Sequence, residues 1–378
     1  MIRRSTKTIF AFPIIILLAI SSFSVRAQEQ EEGNYFDQSS IVARMHYGFL
    51  LAHHPNIVHL VRHTVGFEIS LSRQTIGRKL WQQYFNYPQT GFSYIFLDFN
   101  NPGILGEAHA LMAFINLPSK RTEHFQFSFR MAAGLGYLTK KYERVENYKN
   151  DVIGSHINAA IQFNFESRYK LSQHLAFNFN VGLTHFSNGS FKTPNLGINN
   201  PSANAGFTYR VQSTKEFIKS EIHQPVKSHE IDLLYATGIK EISPPTGAQY
   251  FSHTISSTFL TTNGLKFRRG PGLDLFYDVS LKLAFDRLDK NSDGLRILRS
   301  GIHYDVEMML DRLTVLFNAG VYWLDQYKDD GAIYDRVGFK YLVSKNLFVN
   351  LTLKTHFAKA DYVECGIGWK FKKDNSAR

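Results

Sequence analysis

The segment 175-LAFNFNVGLTHFS-187 decides how the chain is read. Its odd positions are Leu175, Phe177, Phe179, Val181 and Leu183; its even positions are Ala176, Asn178, Asn180, Gly182 and Thr184. Successive side chains of a strand point to opposite sides, so this period of two gives one greasy face and one small or amide face. A soluble sandwich would carry charge on its second face. Amide and glycine suit the lumen of a barrel whose greasy face meets lipid.

The pattern recurs. Leu313, Val315, Phe317, Ala319, Val321 and Trp323 alternate with Thr314, Leu316, Asn318, Gly320 and Tyr322, and Leu347, Val349, Leu351 and Leu353 alternate with Phe348, Asn350, Thr352 and Lys354. Strand-like stretches also cover 40–53, 63–75, 90–101, 106–118, 125–140, 156–170, 198–212, 229–241, 250–264, 273–286, 296–310, 333–343 and 361–372, which brings the count to sixteen. An even number returns the chain to the side it entered, and closure leaves no strand edge unpaired in lipid. The expected fold is all-β: an antiparallel transmembrane outer-membrane β-barrel of about sixteen strands. Twelve to fourteen strands, or an eight-stranded barrel followed by a second β unit, are the alternatives. Turns such as 171–174 and 343–346 are short and face the periplasm; 54–62, 143–153, 188–197 and 287–294 are the longer outward connections.

Arg3, Arg4 and Lys7 precede an apolar run, Ile9 to Ile20, that is too short to span a bilayer, and Val25-Arg26-Ala27 ends it with small residues. Residues 1–27 read as a cleaved signal peptide. The remainder divides into 28–212, a barrel half, 213–228, a linker or periplasmic turn, and 229–378, a second set of strands. Formal charge is +11, of which four positives leave with the signal. An exported basic chain points to a phosphate-rich membrane surface and away from nucleic acid. Cys365 is the single cysteine, so no internal disulfide can form.

At the end of the opening strand the greasy parity continues into His185 and Ser187. An imidazole and an alcohol side by side on a lipid-facing rim are costly, and they form the nucleophile–base pair of ester hydrolysis. Counting back from Phe207, Tyr209 and Val211 puts Asn199 on the same face of the next strand, where it can orient His185. The intervening turn, with Asn188, Gly189 and Asn195, offers amides for an oxyanion.

The segment His185-Phe186-Ser187-Asn188-Gly189, followed by Pro194-Asn195-Leu196-Gly197, resembles the lipid A 3-O-deacylase (PagL-type) and acyloxyacyl hydrolase outer-membrane family. Trp81 to Pro88, Gly134-Leu135-Gly136-Tyr137-Leu138 and Ile153-Gly154-Ser155-His156 resemble its Bacteroidetes-type members, and the likeness covers about residues 40–212. It implies an eight-stranded barrel with Ser187 as nucleophile, His185 as base and Asn195 at the oxyanion hole. The family's acid is a Glu, and its place is taken here by Asn199, so Asp151 is a second candidate. About 165 residues follow where the simplest members end.

The implied function is an outer-membrane esterase that hydrolyses an ester-linked acyl chain of lipid A by a Ser-His mechanism, with lipopolysaccharide as partner and no cofactor or metal. A homodimer is left open. The alternative is a catalytically inactive barrel, a pore or structural protein; a phospholipid esterase shares the chemistry but not the flanking residues. Weaker signals are a calcium-loop mimic at Asp289 to Gly294, the histidines 53, 54, 59 and 63, a basic cluster of Lys140, Lys141, Arg144 and Lys149, and His156 as a wall residue. His356 in Thr355-His356-Phe357 echoes His185 one residue out of step, and so points inward.

Overall fold

The computed structural model describes residues 38–212, 216–221, 227–242, 245, 247–262, 264–288, 294, 296–357 and 359–372. The signal segment, most of the calcium-loop mimic and part of 213–228 lie outside these residues. Among the described residues sixteen strands form. The first eight are β1 (Ser39–Phe49), β2 (His63–Gln74), β3 (Gln89–Asp98), β4 (Glu107–Arg121), β5 (Phe125–Leu138), β6 (Ile157–Lys170), β7 (Leu175–Ser187) and β8 (Ile198–Arg210). The second eight are β9 (Ser228–Lys240), β10 (Tyr250–Thr262), β11 (Phe267–Asp278), β12 (Leu298–Leu310), β13 (Leu313–Leu324), β14 (Ile333–Leu342), β15 (Leu347–His356) and β16 (Lys359–Lys372).

They close as two cylinders of eight rather than one of sixteen, the arrangement the sequence leaves open beside a single barrel. β8 returns to β1, with Arg210 opposite Ser40 and Ser202 opposite Gly48. β16 returns to β9, with Lys372 opposite Glu230 and Glu364 opposite Gly238. Every pairing is antiparallel, and within each cylinder sequential neighbours pair, as hairpin connections dictate; only β8 and β9 follow one another without pairing.

An eight-stranded barrel is just wide enough for its own side chains, and both interiors are filled by them. In the first, Glu68 accepts from Arg44 (3.2 Å) and Arg130 (2.7 Å), while Glu166 takes Arg168 (2.6 Å), Asn116 (3.0 Å) and Arg44. In the second, Lys340 reaches Glu307 (2.5 Å) and Asp232 (3.3 Å), Arg268 bridges Glu230 and Glu307, and Lys354 and Lys240 both meet Asp361. Buried charges are tolerated because each has an opposite partner. These lumens hold salt bridges where a sixteen-stranded porin would hold a channel of water. Outward positions such as Phe177, Phe179, Val181, Ile231, Leu233 and Tyr235 stay exposed, as a lipid-facing band requires. Among the described residues no helix is long and apolar enough to cross a membrane.

One segment departs from the strand expected at 273–286. β11 starts earlier, at Phe267, and ends at Asp278; helix α2 (Ser280–Asp286) follows, after the short α1 (Leu80–Tyr84) between β2 and β3. Leu281 and Phe285 are four apart, the spacing of one helix face, and both are buried. Arg268 and Pro271 lie between two expected strands in the sequence reading. Within the barrel Arg268 is a lumen cation, and Pro271 sits opposite Tyr304 in the β11–β12 ladder.

The cylinders touch at both ends. At the short-turn end Lys79 pairs with Asp311 (2.8 Å), and Lys266 lies over the Phe85 ring (5.5 Å). Tyr87, in the Trp81 to Pro88 stretch, stacks on Phe217 there (4.2 Å). At the long-loop end the connection after β7 lies against the second cylinder.

Candidate active site

β7 and β8 pair so that His185 stands directly opposite Asn199. Both face outward by strand parity, and the imidazole Nδ1 lies 2.6 Å from Asn199 Oδ1. An amide oxygen only accepts, so Nδ1 carries the proton and Nε2 keeps its lone pair. The orientation of the amide is supported from behind. Asn199 Nδ2 is 3.2 Å from His53 Nδ1, and His53 Nε2 is 2.9 Å from the Leu196 carbonyl. His53 Nδ1 also lies 3.2 Å from the Leu51 carbonyl; with the proton assigned to Nε2 by its shorter contact with Leu196, Nδ1 is left to accept from Asn199. The sequence places His53 in a polar outer loop; nothing local connects it to a residue 146 positions away.

Ser187 shares the outward parity of His185 but is 6% exposed, because its own loop folds over it. Asn195 Nδ2 donates to Ser187 Oγ (3.0 Å), and the Gly189 N–H donates to the same oxygen (3.2 Å). Asn195 Oδ1 in turn accepts from the Asn188 N–H (3.0 Å). The Asn188 side chain is occupied in holding the turn, donating to Ser155 Oγ (2.8 Å) and accepting from the Lys192 N–H (3.3 Å). Gly189 N–H and Asn195 Nδ2 therefore converge on the nucleophile, while Asn188 braces the loop. No hydrogen bond joins Ser187 Oγ to the imidazole in this resting arrangement; such bonds commonly tighten only with substrate bound.

Gly197 makes the arrangement sterically possible. Its φ is +81°, and a Cβ there would lie 2.8 Å from His185 Cε1 and 3.2 Å from the Phe186 carbonyl oxygen. Its N–H donates to the Val152 carbonyl (2.9 Å), which anchors the strand entry.

Other candidates fall elsewhere. Asp151 makes no hydrogen bond or ion pair with His185, and the place beside the imidazole is occupied by Asn199. His156 bonds the Leu138 carbonyl (2.7 Å) and stacks on Tyr137, a wall residue. Lys141 is taken by Glu143, and Lys149 lies over Tyr148 (5.9 Å). His59 meets the Lys149 carbonyl (3.3 Å) and His63 stacks on Tyr47. His356 is buried in the second lumen against Tyr322 (2.9 Å).

Two family models match the chain. The lipid A 3-O-deacylase (PagL) model matches residues 65–208, and the model for the C-terminal domain of acyloxyacyl hydrolase matches 229–373. Together they cover most of both cylinders, with β1 outside the match. The chain belongs to the lipid A 3-O-deacylase and acyloxyacyl hydrolase family. Membership makes it an ester hydrolase of the bacterial outer membrane acting on lipid A. It also accounts for the second half, which the likeness over 40–212 leaves without a relative. No curated relative matches the chain. Among solved structures, a mutant of the Rh. blastica porin is 9% identical over 89% of this chain and all of that one, with a TM-score of 0.19. An outer membrane channel from Pseudomonas putida F1 is 8% identical over 91% and 100%, also at 0.19. At that score neither bears on architecture or function.

Proposed function

We propose that Ser187 and His185 carry out the deacylation by nucleophilic catalysis, with Asn199 and His53 setting the imidazole. The observation that carries this reading is the 2.6 Å contact between His185 Nδ1 and Asn199 Oδ1, which leaves Nε2 as the free base on the side of the strand that Ser187 shares. As a lipid A ester enters the rim, Nε2 takes the Ser187 proton and Oγ attacks the carbonyl carbon. The Gly189 N–H and Asn195 Nδ2 already converge beside Oγ and supply donors for the negative oxygen. Collapse of the intermediate breaks the ester C–O bond, and His185 returns its proton to the departing sugar oxygen. Water, deprotonated by the same imidazole, then releases the fatty acid and regenerates Ser187. Every group in this sequence comes from one chain, so no second copy is called for.

Asn199 holds the tautomer but contributes no charge to the imidazolium formed on the way, and a carboxylate-to-amide exchange at this place in a serine triad lowers kcat by about 10⁴. The reading is therefore of a slow esterase. The filled lumens argue against the alternative of a passive pore. The test is mass spectrometry of lipid A from cells expressing the protein or its Ser187→Ala variant. Loss of one acyl chain with the native protein and not with the variant is the expected result; identical lipid A in both would leave an inactive barrel. Fatty acid released from phospholipid vesicles but not from lipid A would point instead to a phospholipid esterase.

A further inference from the structure

We propose that the second cylinder is a positioning device for the first cylinder's oxyanion loop, with Glu241 as its principal pin. This rests on the catalytic reading of Ser187 given above. Four consecutive residues after Gly189 are each tied to the second half of the chain. Ser190 Oγ donates to the Ala360 carbonyl (2.7 Å), and its own carbonyl accepts from the Glu241 N–H (2.8 Å). The Phe191 carbonyl accepts from Gln249 Nε2 (3.2 Å). Lys192 Nζ stands 3.9 Å from Glu241 Oε2, and the Thr193 N–H donates to that oxygen (3.1 Å). Glu241 is buried, and its other oxygen accepts from the Gly247 N–H (2.5 Å), so it is itself fixed.

The loop so held begins at Gly189, whose N–H points at Ser187 Oγ, and runs to Asn195, whose amide does the same. Gly189 has φ +61°, and a Cβ there would come within 2.4 Å of Val363 Cγ2 and 3.4 Å of Leu353 Cδ1, both on the outward face of the second cylinder. Both proposed oxyanion donors thus flank a stretch held by β15, β16 and the connection after β9. A shift of the donors of about 1 Å is costly, because their worth depends on aim rather than on presence. Here the Ala360 carbonyl, the Glu241 N–H and carboxylate and the Gln249 amide of the second half supply that aim.

The test uses the full chain in detergent micelles with purified lipid A, and compares Glu241→Ala, Glu241→Gln and Ser187→Ala. Glu241→Ala is expected to lower kcat about 10- to 100-fold with KM within about threefold, the pattern of lost transition-state stabilisation. Glu241→Gln keeps an acceptor for the Thr193 N–H and is expected to recover most of kcat. Retained heat-dependent gel migration reports that both barrels are folded. Unchanged kcat in Glu241→Ala, or equal loss in Glu241→Gln, overturns the positioning role. If Ser187→Ala is as active as the native protein, the catalytic reading fails instead, so the two failures are separable.

Discussion

Exchanging Asn199 for Asp tests how much this enzyme forgoes by lacking an acid. The substitution is isosteric, and it keeps an oxygen 2.6 Å from His185 Nδ1. A carboxylate there faces an imidazolium whose charge is spread over the ring, so the centres lie roughly 4 Å apart. At an effective dielectric constant of 20 the attraction is about 4 kcal/mol. Holding a carboxylate at a partly buried rim offsets part of that, leaving on the order of 1.5–3 kcal/mol, or roughly 10- to 10²-fold in rate. The gain should fall short of the 10⁴ seen for triads that lose their acid, because part of that loss is a wrong tautomer, and His53 already secures the right one here. The second oxygen of the introduced carboxylate would face His53 Nδ1, which then gains by holding a proton of its own. The assay is fatty acid release from lipid A at saturating substrate, comparing kcat of native protein and Asn199→Asp with barrel folding checked by gel migration. An unchanged or lower kcat in a folded variant refutes the assignment of Asn199 as the imidazole's partner.

Two further outcomes follow from the same geometry. His53→Ala frees the Asn199 amide to turn its NH₂ toward His185, which favours the tautomer with the proton on Nε2; kcat is expected to fall about 10-fold or more, and Asn199→Asp in the same chain should restore it, since a carboxylate has no donor to present. Failure of that rescue would deny His53 its part. Gly197→Ala places a methyl 2.8 Å from His185 Cε1 at a φ of +81°; it should cost about 1–2 kcal/mol of local strain and displace the ring, giving a larger loss in kcat than in thermal stability. Full activity in Gly197→Ala would mean that the imidazole has room this structure does not show.

Much of this is legible in the sequence. The alternation of Leu175 to Leu183 sets a lumen face and a lipid face, and counting along two strands puts Asn199 on the same face as His185, where the register then sets them opposite. What periodicity cannot encode is the partner at a distance. Strand grammar is the same on either side of residue 212, so nothing local says that β8 turns back to β1 instead of pairing with β9. His53 and Glu241 are invisible for the same reason: each acts through a contact made only once the cylinders have closed. Alternation also misleads at 279–286, where an apolar run of ambiguous period folds as a helix because Leu281 and Phe285 recur at four.

A cylinder stoppered with salt bridges offers nothing along its axis, so whatever the second one contributes it must deliver from its flank and crown. Its interior pairs, such as Arg268 with Glu307, are then interchangeable with any other filling that keeps the wall upright. The residues at the crown, by contrast, are answerable to a neighbour's chemistry: half of this polypeptide serves as a buttress whose shape matters most where it meets the loop it props.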